Sequence, residues 1–190
     1  MSTKNTNVFK KDNLDLYLKE LAKEYKKLGG RNMPAEIILI GGAAVIENYD
    51  FRDMTTDIDA IISAASSMKD AINHIGDRFG LPNGWLNADF QKTGSYSSKI
   101  LQHSSFYRTF YQALNVRTVT GEYLIAMILR AFRQYKNDLS DIIGVLAEHE
   151  KRGDPMTLDR IERAVRDLYG SWEGFPNGAK DFIANTLSAG

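Results

Sequence analysis

The chain has no cysteine among its 190 residues. That excludes disulfides, thiolate metal sites and a thiol nucleophile. It has no excess of either charge: 24 Lys and Arg stand against 24 Asp and Glu, for a formal net charge of zero. A broad basic surface for duplex nucleic acid is therefore not indicated, although a local positive groove can sit inside a neutral total. No apolar run approaches the roughly twenty residues a membrane-spanning helix needs. The start, MSTKNTNVFKKDN, is polar and lacks the apolar core of a signal peptide. These absences set the expectation of a cytoplasmic protein with no membrane partner. Histidine is scarce too. His74, His103 and His149 are scattered without metal-ligand spacing, and a surface or capping role is expected for each. No Ser/His/Asp triad can be argued from spacing.

What is present is α/β periodicity. Leu14, Leu18, Leu21, Tyr25 and Leu28 keep helical spacing from about residue 13 or 15, and Gly29-Gly30 stops the helix. Residues 36 to 40 read as a short, almost wholly apolar strand, central and covered on both faces. A helix is expected from Ala43 to about Tyr49, a strand over 57 to 62, and a helix over 66 to 79 with Met68, Ala71, Ile72, Ile75 and Phe79 inward. From 80 to 105 the signal weakens into a long connection, with Trp85 as a core plug. Strands are plausible at 105 to 110 and 114 to 119. The aromatics Phe106, Tyr107, Phe110 and Tyr111 read mainly as core or interface, with base stacking as the alternative. Residues 121 to 152 read as helix with a bend near Asn137. Thr157 N-caps the next helix, and a last short one runs from 177 to 187. The expected organisation is a mixed α/β part over 1–120 and a helical part over 121–190.

The chemistry concentrates between the first two strands. Gly41-Gly42 turns the chain tightly and leaves no Cβ to obstruct a ligand, and a helix starting beyond it offers unpaired amides to a phosphate. The later glycines of a dinucleotide fingerprint and the Lys-Ser/Thr of a P-loop are missing. Asp57 and Asp59 lie one residue apart on the expected strand, so their carboxylates share a face while Ile58 points into packing. Two like charges on one face call for a cation, basic neighbours or water. Oxygen ligands without sulfur suit Mg²⁺ or Mn²⁺. Thr55 and Thr56 either orient a phosphate or satisfy backbone groups, and Arg52 is either an exposed loop residue or a phosphate ligand.

The segment resembles the signature of the nucleotidyltransferase superfamily (the DNA polymerase β-like fold), with its glycine turn after the first strand and Asp-x-Asp on the next. The resemblance implies a small mixed sheet flanked by helices, with a C-terminal helical portion. It implies Gly41 and Gly42 at the triphosphate, Asp57 and Asp59 as ligands of Mg²⁺, and a nucleoside triphosphate (NTP) as substrate. Beyond that signature, IGGAAV, TTDIDAII, GWLNADF and GEYLIAMILRAFRQYKNDLSDIIGVL together look like small bacterial nucleotidyltransferase-like proteins related to abortive-infection toxins. In such relatives a helical lysine and a later acid work near the nucleotide, and Lys136, Asp138 and Asp141 match them in residue type, with Asn137 inserted. Some of those toxins modify transfer RNA, and they have cognate antitoxins, so tRNA and an antitoxin protein are the partners implied.

The chain departs from the pattern twice. Ile128 stands where the relatives carry a lysine, so Arg130, Arg133 or Lys136 would have to substitute; their spacing of three allows one helix face. No Asp or Glu occurs between Phe90 and Gly121, so a third carboxylate is not evident. Asp89 is either that ligand or a turn residue. The expected function is metal-dependent nucleotidyl transfer to a hydroxyl of RNA, protein or a small molecule. The expected site comprises Gly41, Gly42, Arg52, Thr56, Asp57, Asp59, Lys136 and Asp141. The alternative is a non-catalytic member of the fold that binds a partner.

Overall fold

The computed structural model describes residues 8–133 and 137–190. Among these, five strands form one mixed sheet and seven α-helices pack around it. The order is β3 (Leu86–Asn87), β2 (Ile58–Ser63), β1 (Ala35–Leu39), β5 (Leu114–Thr118), β4 (Ser105–Phe110). β1 is antiparallel to β2 and parallel to β5, while β2 runs parallel to β3 and β4 antiparallel to β5. β1 is central, as its almost wholly apolar sequence predicts.

The side-chain period of two divides the core into two layers. Ala35, Ile37 and Leu39 of β1 join Ile58 and Ala60 of β2 and Leu114 and Val116 of β5 on one face. There α1 (Lys11–Lys27) and α3 (Ser67–Phe79) cover them through Leu14, Leu18, Leu21, Met68, Ala71 and Ile75. Ile38 and Ile40 turn to the other face. They pack with α4 (Gly121–Ala131), α5 (Asp138–Lys151), α6 (Leu158–Tyr169) and α7 (Ala179–Ser188). Because Ile58 faces the first layer, Asp59 faces the second. The short α2 (Gly41–Asn48) starts where β1 ends and sends Ala43 to one layer and Ala44 and Val45 to the other.

Most helix boundaries follow from local chemistry. α1 begins at Lys11, earlier than the apolar period suggests, because the Asn13 side chain accepts the Lys10 N–H at 2.7 Å and caps the turn. Thr157 caps α6 by accepting the Arg160 N–H at 3.2 Å. Trp85 is 2% exposed and donates its indole N–H to the Ile72 carbonyl at 2.9 Å, so it does plug the core. The stretch 121 to 152 is not one bent helix. α4 ends at Ala131, where Phe132 takes φ +31° and turns into the core against Phe182, ring centroids 5.2 Å apart. The weak segment 80 to 105 holds β3 and two short 3₁₀ turns. No described helix is long and apolar enough to cross a membrane.

Candidate functional site

A cavity of about 690 Å³ opens where β1 and β2 meet α2, α4 and α5. Gly41, Gly42, Arg52, Thr56, Asp57, Asp59 and Asp141 all line it. These residues come from four parts of the chain, and the fold brings them together. Lys136 lies outside the described residues. Asp57 sits one residue before β2 rather than within it, because pairing begins at Ile58, whose amide donates to the Trp85 carbonyl at 3.0 Å.

The glycines have separate reasons to be glycine. Gly41 holds φ +57°, and a Cβ there would lie 3.7 Å from the Asp59 Oδ2. A Cβ on Gly42 would lie 2.7 Å from the Thr55 Oγ1 and 3.1 Å from an Arg52 nitrogen. So Gly42 lets the connection back to β2 close over the turn. No side chain caps the α2 N-terminus among the described residues, and its first amides border the cavity. Thr55 is buried; its backbone exchanges hydrogen bonds with Phe9 at 2.7 and 2.9 Å, and its hydroxyl donates to the Asp57 carbonyl at 3.2 Å. Thr55 therefore secures the approach to the acids, while Thr56 is exposed toward the cavity.

Charge is unevenly supplied. Asp57, Asp59, Asp89, Asp138 and Asp141 line the cavity against Arg52 and Arg133. Both arginines are already engaged. Arg52 reaches across to Asp141 Oδ2 at 2.6 Å and also donates to the Met54 carbonyl at 3.0 Å. Arg133 pairs with Asp138 at 3.3 Å, and the Arg133 amide donates to the same carboxylate at 2.6 Å. Burial pushes the Asp59 carboxyl up, and the neighbouring Asp57 adds to the push, while the Asn87 side chain and the Arg133 charge oppose it. Burial pushes Asp141 up to about 6 despite Arg52, with Asp138 adding to the rise.

Several expectations need correction. Arg130 and Arg133 do not share a helix face, and Lys136 lies outside the described residues. α4 stops at Ala131, and Arg130 turns away to the Gly94 and Glu173 carbonyls and the Tyr169 and Phe175 rings. Ile128 contributes an apolar wall beside Leu124 and Met127. None of the aromatics at 106 to 111 lines the cavity. Phe106 is exposed, Phe110 is buried, and the Tyr107 hydroxyl donates to Asp15 at 2.7 Å. His149 is neither a surface nor a capping residue. It is buried between the Tyr49 hydroxyl at 3.0 Å and Asp154 at 3.2 Å, where it ties α2 to α5. Asp89 does border the cavity, yet no group of three or more His, Cys, Asp or Glu among the described residues is placed to hold a metal ion.

Sequence reasoning missed Phe90, Thr93, Ser95 and Asn87. The first three line the cavity, and Asn87 pairs in register with Asp59. The signal available was the -GWLNADF- segment, whose alternation is too short to announce a two-residue strand.

A family model described as a nucleotidyltransferase of unknown function (DUF6036) matches residues 17–146. The chain belongs to that family. The match to this nucleotidyltransferase family takes in the glycine turn, both acids and Asp141. A solved structure of an antigenic nucleotidyltransferase-like protein from Paracoccidioides brasiliensis is similar over 75% of this chain and 79% of that one, at 16% identity and a TM-score of 0.43. No curated protein matches the chain.

Proposed function

We propose that the cavity binds a nucleoside triphosphate and transfers its nucleotidyl group to a hydroxyl acceptor, the acceptor oxygen bonding to the α-phosphorus as the α–β anhydride bond breaks and pyrophosphate leaves. One observation carries this reading: the glycine turn, the Asp57/Asp59 pair and the Arg52–Asp141 contact all border one cavity. The acid surplus there repels a bare triphosphate, so substrate must arrive with cations. With no third acid among the described residues placed to join them, Asp57 and Asp59 suit Mg²⁺ or Mn²⁺ that keeps waters and takes further ligands from phosphate oxygens. Asp57 and Asp59 would hold such an ion. When bound, it supplies neutralisation of phosphate charge and a more acidic attacking hydroxyl. The chain's own contributions are the uncapped α2 amides beside the phosphates, the apolar wall of Leu124, Met127 and Ile128 against the base, and Asp141 beside Arg52. With a pKa of about 6, Asp141 is placed to accept a proton near neutrality.

The test is transfer of label from each α-labelled NTP, with Mg²⁺, to an acceptor panel beginning with transfer RNA and including protein and small-molecule hydroxyls. Transfer by the wild type that disappears in the D57N/D59N variant is the expected result. Transfer that survives in the folded variant would sink the reading. Calorimetry adds a second check. Mg²⁺ alone should show no saturable binding, whereas NTP should bind only with Mg²⁺ present.

A second reading is favoured by three observations. Asn87, an amide, stands beside Asp59; Ile128 is apolar; and both cavity arginines are occupied by Asp141 and Asp138. On this reading the chain is a non-catalytic member that binds nucleotide or a partner such as an antitoxin. Turnover on any defined acceptor would reject it.

A further inference from the structure

A second hollow, about 440 Å³ and open, lies at the other end of β1. Lys23, Lys26, Lys27 and Arg31 line it with Tyr111. The cations come from the last turns of α1 and the 3₁₀ turn after it, and the tyrosine from the tip of the β4–β5 hairpin. β1 starts beside this hollow, since Ala35 pairs with Leu114, and ends at Gly41 in the acidic cavity. The two are thus separated by roughly 17 Å of strand.

The fold gains little from this gathering of charge. Lys26 and Lys27 do offset the partial negative charge at the end of α1. Yet Lys23 and Lys27, four apart on one helix, repel each other, and Arg31 lies beyond the helix. Lys27 and Arg31 are exposed and form no ion pair among the described residues, while Lys23 pairs with Glu20 at 3.1 Å. Tyr111 is an unexpected residue for its position. It and Gln112 both adopt positive φ, +51° and +56°, in a tight hairpin turn that favours Asn and Gly. That turn leaves the ring 39% exposed, with Lys23 Nζ 5.4 Å from its centroid and Lys26 Nζ on its carbonyl at 3.3 Å.

Cations at successive levels around an exposed aromatic ring match the needs of a single nucleic-acid strand. The cations meet phosphates, and the ring offers a face to any base. We propose that this hollow is a binding site for single-stranded nucleic acid, separate from the acidic cavity and independent of its reading. The neutral total charge of the chain then describes a molecule with one acidic and one basic end, not one without electrostatic preference.

The test is fluorescence anisotropy with labelled ten-residue oligouridylate and oligothymidylate between 50 and 200 mM KCl, on the full chain. We expect binding whose logarithm falls linearly with the logarithm of salt. The K26E/K27E/R31E variant should bind at least tenfold more weakly at 50 mM, with the slope reduced by about two, near 0.7 per lost phosphate contact. Tyr111→Leu should weaken binding severalfold with the slope unchanged, and K26Q/K27Q/R31Q should fall between wild type and the glutamate variant. D57N/D59N should bind within twofold of wild type. No binding at 50 mM KCl overturns the proposal, as does binding that the triple variants leave intact. Equal charge-dependent binding to phosphatidylserine vesicles, with Tyr111→Leu silent, would overturn it in favour of a lipid surface. Preference between the two oligomers tells whether the strand is RNA or DNA.

Discussion

Two of the places where the molecule buries carboxylates keep them by different means. In the cavity, Asp138 and Asp141 are each about 6% exposed and each is met by an arginine. On the far side of α2, Glu47 is 5% exposed, and neither of its carboxylate oxygens has a hydrogen-bond partner. Its neighbours are Asp15 and Tyr107, and burial followed by the Asp15 charge pushes it up to about 8. A buried carboxyl can be satisfied by a cation or by a proton. The cavity pairs its buried acids with cations and stays open to solvent; Glu47 is buried with no partner on its carboxylate, which favours its protonated form. Openness combined with paired charge, more than the presence of acids, is what marks the cavity as the place for a ligand.

The strongest way to break the comparison is to remove the acids that have no cation. Asp59 carries its charge at a cost imposed by burial and by Asp57. The D57N/D59N variant should therefore lose transfer by at least about 100-fold, a few kcal/mol of barrier, while its Tm holds or rises. Activity and stability moving in opposite directions is the signature of a site kept for function. A fall in Tm with no change in nucleotide binding would instead make the pair structural.

Arg52→Ala tests the cation side. It leaves Asp141 buried without its partner, and removing one member of a buried pair costs about 3 kcal/mol. Asp141 already has a folded pKa of about 6, above the unfolded value, and losing Arg52 raises it further. The variant should therefore be least destabilised at pH 5, where Asp141 is protonated, and most at pH 8. Adding D141N should restore much of the loss, and chemical denaturation of the four-member cycle measures the coupling.

How much of this was legible in the sequence depended on range. The glycine turn, the acid pair and the alternation that turns Ile58 inward are local, and they read correctly to within two residues, the helix starting at Gly41 rather than Ala43. The central place of β1 was legible because a strand that is almost wholly apolar, with Glu36 near its start, calls for cover on both faces. The end of α4 was not. Phe132 leaves the helix because its ring packs on Phe182, fifty residues later, and nothing near Phe132 announces that contact. The pairing of Arg52 with Asp141 joins residues 89 apart; the resemblance suggested Asp141 and nearness to the acid pair suggested Arg52, but neither said that they meet. His149 looked solvent-facing between two glutamates, yet Tyr49, a hundred residues earlier, draws it inside.

The smallest effect tests the proton side of the comparison. An acid whose folded pKa is about 8, well above its unfolded value, binds more protons folded than unfolded across that interval. Stability from this group is then highest at low pH and falls as pH rises toward 8. Glu47→Gln keeps the shape and the neutral state while removing the ionisation. It should change Tm least at pH 5 and raise it by several degrees at pH 9, since a chain of this size gains roughly 2–4 °C per kcal/mol. Tyr107 donates to both Asp15 oxygens at 2.7 and 2.8 Å, so its hydroxyl serves Asp15 and leaves Glu47 without a donor. A melting series from pH 5 to 9 decides the point. A parallel offset at every pH would mean that the substituted amide merely packs differently, whereas a gap that widens from pH 5 and levels off above pH 8 would show that the cluster is held by a proton.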